Sequence, residues 1–211
     1  MDYRTRNSGF KKKKYLIFLF CFVCIIGIVC IAWNLHNHIE KNKQEVIQTG
    51  KYFEILKLSK KDHYKCKAFN EDGELIYSEE IQTIVWPTAT MQYNAVDFHH
   101  GAGTGTYLDK FVDYQQNLKS DWFQNVRAIG KDHVAYVRWE GKEVENIKTV
   151  LVVAKKYEQN TEKKYSFPHI LNEWDIDICE FRNNETELYI HYIDKDTKET
   201  EEKTIKLSEF E

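Results

Sequence analysis

Residues 133–154 read HVAYVRWEGKEVENIKTVLVVA. Two runs rich in β-branched and aromatic residues, His133–Trp139 and Lys148–Ala154, flank the polar, glycine-containing Glu140-Gly141-Lys142. Such side chains are stiff at χ1 and fit a pleated surface better than a helix. The stretch predicts a β-hairpin, and with it a mainly β fold.

The pattern continues in both directions. Tyr64–Phe69 alternates, Asn70–Gly73 offers a tight turn with Asp-Gly, and Leu75-Ile76-Tyr77 begins a return strand. Thr90–Phe98 reads as a further strand. Asp175–Phe181 and Glu187–Ile193 form another hairpin, and Lys203–Leu207 closes the chain. One stretch has two readings. Leu108, Phe111, Leu118 and Trp122 could mark a helical face, or Tyr107–Tyr114 could be a strand with Gln115–Asn117 as its turn. The strand reading is preferred, because hairpins then recur at a spacing of roughly 40 residues. Units near 52–82, 90–123, 124–156 and 174–207 result. The expected fold is an antiparallel β domain of blade-like hairpin units, arranged as an open stack, a sandwich or a partial propeller.

A resemblance supports this. Phe111-Val-Asp113-Tyr114, Asn117-Leu-Lys-Ser120, Trp122-Phe123, Asn125-Val126 and His133-Val-Ala-Tyr136 resemble the strand-turn-strand run of propeller-like blades in uncharacterised exported bacterial proteins. The likeness has weaker echoes to residue 207. It implies a β-blade fold and an envelope setting, and it carries no catalytic residue.

The N-terminus is of another kind. Residues 15–33, YLIFLFCFVCIIGIVCIAW, contain no charge. As a helix they would span roughly 28 Å, close to the hydrocarbon thickness of a bilayer. Leu, Ile, Phe and Val supply 12 of the 19 positions, enough to favour insertion by several kcal/mol. Tyr15 and Trp33 stand at the edges, where amphipathic rings prefer the interface. Arg4, Arg6, Lys11, Lys12, Lys13 and Lys14 precede the segment, whereas Lys41, Lys43 and Lys51 follow within twenty residues. The positive-inside rule predicts a cytoplasmic tail (1–14), a membrane helix (15–33) and everything beyond it outside the cytoplasm. No small-residue cleavage site follows Trp33, and Val29 beside Cys30 departs from a lipoprotein signal. Leu35, Ile39, Val46 and Ile47 predict a short helical stalk over 34–50, leaving one domain at 51–211.

The net charge of −3 gives no nucleic-acid footprint. Cys21-x-x-Cys24 lies inside the apolar segment and reads as filler rather than a redox motif. Cys66 and Cys179 could form one disulfide or remain buried thiols, the latter being preferred.

Three motifs invite chemistry. Gly101-Ala-Gly103-Thr-Gly105-Thr lacks the following Lys and the spacing of a phosphate loop, and reads as a turn or bulge allowing close strand approach. Asp97 and His99 would share a strand face, with His100 opposite, but no third zinc ligand is near. Asp194-Lys-Asp196-Thr-Lys198 lacks the central Gly and closing Glu of a calcium loop. No catalytic, metal or cofactor residue is therefore assigned. The expectation is a membrane-anchored, extracytoplasmic interaction protein of the bacterial envelope. Phe98, His99, His100, Gly101, Gly103, Gly105 and Tyr107 form its contact loop, with a membrane and an envelope protein as partners and no cofactor. The alternative is an envelope hydrolase using Asp97 and His99.

Overall fold

A computed structural model describes residues 26–31, 33, 44–103, 105–140, 148–170 and 173–209. The basic tail with Lys11–Lys14, Tyr15 and most of the expected membrane segment lie outside the described residues, as do 34–43 of the expected stalk and the 141–147 turn. Residues 26–31 and 33 are helical and exposed. Among the described residues no helix is long and apolar enough to cross a membrane. The chain divides into two units, 1–44 and 45–211.

The second unit is built from four antiparallel sheets, each made of strands contiguous in sequence. The first holds β1 (Glu45–Thr49), β2 (Phe53–Lys57), β3 (His63–Phe69) and β4 (Leu75–Gln82). The second holds β5 (Thr88–Gln92), β6 (Ala95–Gly103), β7 (Thr106–Asp113), β8 (Leu118–Lys119) and β9 (Phe123–Gln124). The third holds β10 (Val126–Ile129), β11 (His133–Glu140), β12 (Lys148–Lys155) and β13 (Lys163–Ser166). The fourth holds β14 (Ile176–Arg182), β15 (Glu187–Ile193) and β16 (Thr200–Lys206). Strand order follows chain order except that β9 pairs with β7, and none of the sheets closes into a barrel.

Three apolar clusters join the sheets in sequence. Phe53, Ile55, Tyr64 and Cys66 of the first sheet meet Ala89, Phe98 and Val112 of the second. Ala95 and Phe111, from the other face of the second, meet Val134, Tyr136 and Val152 of the third. Ala135, Val137 and Leu151 of the third meet Leu188, Ile190 and Ile205 of the fourth. The middle sheets are thus covered on both faces, which is why β12 is apolar almost throughout and buried over Thr149–Ala154. The end sheets turn paired charges outward. Lys67 meets Glu54 at 2.9 Å on the first, and Arg182 lies 3.4 Å from the Tyr189 ring on the fourth.

Two expectations change. Residues 45–49 form a strand, not the end of a helical stalk. The open edge of β2 offers this segment backbone partners, with Val46 opposite Leu56. Thr90–Phe98 is two strands, because Tyr93 and Asn94 take positive φ (48° and 61°) and make a two-residue hairpin turn. Of the two readings of Cys66 and Cys179, the structure agrees with the preferred one, and no disulfide joins them. Both thiols are free, on the first and fourth sheets, and burial pushes each up to about 12. The strand reading of 107–114 holds, with its turn closed by Asp113, whose Oδ1 accepts from the amides of Gln115 and Gln116 at 2.8 and 2.7 Å.

Candidate functional site

The β6–β7 hairpin organises the site. Its register pairs Asp97 with Phe111, His99 with Asp109 and Gly101 with Tyr107. Cross-strand partners share a face, so Asp97, His99, Asp109 and Tyr107 line one side. His100 takes the other, against the edge of Trp122 at 4.8 Å, where burial lowers its basicity. Gly103 and Gly105 supply positive φ (89° and 80°) at the tip. The run is a hairpin end with a bulge between Gly101 and Gly103.

His99 Nδ1 lies 2.6 Å from Asp109 Oδ1, and that hydrogen bond raises the histidine above its ordinary value. The ring stacks on Tyr107 at 5.2 Å and 15°. Tyr107 meets the edge of Trp174 at 6.1 Å, and the Arg127 guanidinium sits 5.1 Å from the Trp174 ring. Tyr107 is fixed from behind by Asn125, whose Oδ1 accepts from the Tyr107 amide at 3.1 Å. These groups wall a cleft of about 480 Å³. Its sides come from the second sheet, from β10 of the third, and from the turn Glu173–Asp175 leading into the fourth.

Asp97 is not among the residues of that wall. Only 6% exposed, it keeps Oδ1 without a hydrogen-bond partner, and Gln92 Nε2 approaches Oδ2 at 3.5 Å. Burial, with the nearby Asp109 charge, lifts it to about 7. Lys156 is 1% exposed, with Nζ 5.3–5.7 Å from the rings of Phe111, Tyr93 and Tyr157 and no hydrogen-bond partner. Desolvation lowers its basicity despite the charges of Glu185, Asp132, Asp97 and Asp113.

The structure therefore separates the sequence-selected loop. His99 and Tyr107 face the cleft, and Gly105 lies at the tip near Trp174. Phe98 is fully buried, and His100 and Gly101 are closed off too, so none of the three can form a contact surface. Asp109 was legible in principle, since a hairpin centred on residue 104 places it opposite His99. Arg127 comes from the third sheet and Trp174 from the turn before the fourth, and no local pattern connects them to the loop.

The chemistry available is recognition. Stacked aromatic faces, a guanidinium and a carboxylate-held imidazole converge, which suits a ligand with a flat apolar side and polar edges. Cys179 also lines the cleft, but at about 12 its thiol is not a thiolate at neutral pH. Among the described residues no three His, Cys, Asp or Glu side chains are grouped to hold a metal ion. A second cleft, of about 440 Å³ between the second and third sheets, is lined by Lys156 and by an Arg138 held in ion pairs. Arg138 lies between Glu140 (2.9 Å) and Glu162 (3.0 Å). Compared with known proteins, the chain matches no family model and no curated sequence. The site is thus read from its own geometry.

Proposed function

We propose that the chain is a single-pass membrane protein whose β domain, a propeller-like open stack of blades outside the cytoplasm, serves the bacterial cell envelope as a binding module. The cleft walled by His99, Tyr107, Asp109, Arg127 and Trp174 carries this reading. It gathers side chains from three sheets, and its aromatic surface is solvent-facing, Trp174 being 57% exposed. The anchor rests on the charge-free segment 15–33 and the basic run before it. The exposed apolar side chains of Ile26, Ile28, Val29 and Ile31 agree, since lipid would shelter them. The ion pairs Lys67–Glu54 on the first sheet and Arg182–Glu180 on the fourth support end blades that face water.

The test is affinity capture from native membranes with the tagged full chain and with a Tyr107→Ala/Trp174→Ala variant of unchanged unfolding midpoint. A partner held by the first and lost by the second is the expected result. Equal recovery by both removes the cleft from the function. A hydrolase reading keeps one supporting observation, the short His99–Asp109 bond. It lacks an activated nucleophile in the wall, since Cys179 is a thiol, and Asp97 is shut away from the wall.

A further inference from the structure

The first sheet has two unlike ends. At one, β1 begins at Glu45, directly opposite Lys57, the last residue of β2. The loop 58–62 and the linker 83–87 lie at the same end. They are tied together by the Thr83 amide, which donates to Asp62 O at 2.9 Å, and by β4 ending at Gln82 opposite His63. The tip of the β6–β7 hairpin joins them, since Thr83 Oγ1 donates to Gly101 O at 2.6 Å.

That end is apolar and basic. Ile84, Val85 and Trp86 are consecutive and 74%, 47% and 61% exposed. Lys57 Nζ lies 5.6 Å from the Trp86 ring, and Lys60 and Lys61 are exposed beside it. Glu45 and the half-buried Asp62 are the acids there. The opposite end, where β3 turns into β4, exposes Glu71, Asp72 and Glu74, with Lys51 of the β1–β2 turn as its exposed cation and no apolar group in the turn before Leu75. Three adjacent apolar side chains left largely exposed in a linker are costly in water.

Chain continuity decides what they face. Eleven residues, 34–44, separate the end of the apolar segment from β1. Fully extended they reach at most about 40 Å. The described domain begins at the Ile84–Trp86 end, since β1 starts there at Glu45, so on the anchored reading this is the end joined to the membrane segment.

We infer that the linker Ile84-Val85-Trp86, flanked by Lys57, Lys60 and Lys61, docks on the outer surface of the same membrane that holds the anchor, with Trp86 at the headgroup level and the lysines on anionic lipid. The inference rests on the anchored reading above. Tryptophan prefers the interfacial zone, and lysine ammonium groups gain from anionic headgroups within a Debye length. Docking would fix the height and tilt of the cleft above the bilayer, which a free tether would leave open.

The test uses the full chain in vesicles of phosphatidylglycerol and phosphatidylcholine, with brominated or ordinary acyl chains. The fluorescence removed by Trp86→Phe reports Trp86, and that removed by Trp33→Phe reports the anchor. Bromination is expected to cut the Trp86 signal by about half or more, as for an interfacial ring. K60E/K61E, at two exposed positions, is expected to weaken this quenching. A quenched Trp33 with an unquenched Trp86 overturns the docking and leaves the anchor standing. If neither is quenched, both fall.

Discussion

Glu185 holds Oε2 2.9 Å from Nδ1 of His133, bridging the turn between β14 and β15 and the start of β11. The same carboxylate accepts from the backbone amides of Lys131, Asp132 and His133, the latter two at 3.1 Å. Asn183, Asn184 and Glu185 all take positive φ to deliver it there. The third and fourth sheets are thereby joined at their rim by a charge, as well as by the apolar cluster behind it.

Removing that carboxylate orphans several donors at once. Glu185→Ala is expected to cost about 2–4 kcal/mol, because charge-assisted bonds to partly buried groups are worth more than neutral ones. Burial alone would raise the Glu185 carboxyl, but the bonds from His133 and the amides outweigh it and hold it below its ordinary value. A lowered carboxylate contributes stability above about pH 4.5, and that contribution is lost as pH falls through the folded value. Urea unfolding at pH 7 and pH 3 checks this. The variant should trail the wild type at pH 7, the gap should narrow as pH falls, and a gap that stays constant from pH 7 to pH 3 would place the effect elsewhere.

Asp97 acts in the opposite sense. Its value rises from 3.8 to about 7, so between those limits the folded chain keeps a proton that the unfolded chain releases. Stability is lost as pH rises through that window, by up to roughly 4 kcal/mol. Asp97→Asn keeps the shape and the approach of Gln92 but removes the charge. It should raise the unfolding free energy at pH 8 by about 1–3 kcal/mol, the smaller figure allowing for the buried amide. It should also flatten the profile between pH 4 and 7. An unchanged slope would mean that Asp97 is solvated more freely than its burial indicates.

Lys156 extends the argument to a buried cation. Its acids do not repay its desolvation, as its lowered basicity shows. Lys156→Met preserves the contacts with Tyr93, Phe111 and Tyr157 and is expected to stabilise the domain by about 1–2 kcal/mol at pH 7. The unfolded lysine holds its proton to higher pH than the folded one, so wild-type stability climbs as pH rises toward 10.5. The advantage of the variant should therefore shrink between pH 7 and 10 in thermal melts. A growing advantage would reverse the sign of the shift.

The strands were legible because their side chains alternate or run apolar. The hairpins 63–82, 133–155 and 176–193 follow directly from such runs. The split at Tyr93-Asn94 was hidden, because neither residue is the glycine that usually marks two positive φ values. β1 was hidden for another reason. Its pairing depends on the edge of β2, not on its own spacing of apolar residues. The site was half legible. His99 and Tyr107 stood out beside the glycines, whereas Arg127 and Trp174 reach the cleft only through the stacking of the sheets, which no local period records.

Gly101 offers a last, sharply defined case. A Cβ built there would lie 2.9 Å from Cγ2 of Val85. Gly101 is thus glycine because the linker 83–87 runs close over the hairpin, with Thr83 bonded to its carbonyl. Gly101→Ala should destabilise by about 1–3 kcal/mol, since the linker must lift or Val85 must leave its rotamer. Val85→Ala removes the nearest atom, Cγ2, while keeping Cβ at 3.1 Å, and, with Val85 47% exposed, should cost little alone. The double variant should then recover most of the loss, giving a coupling of about 1 kcal/mol or more in a double-mutant cycle. Simple additivity would show that the linker does not pack on the hairpin in solution. It would also loosen the arrangement that presents Ile84 and Trp86 at the tether end.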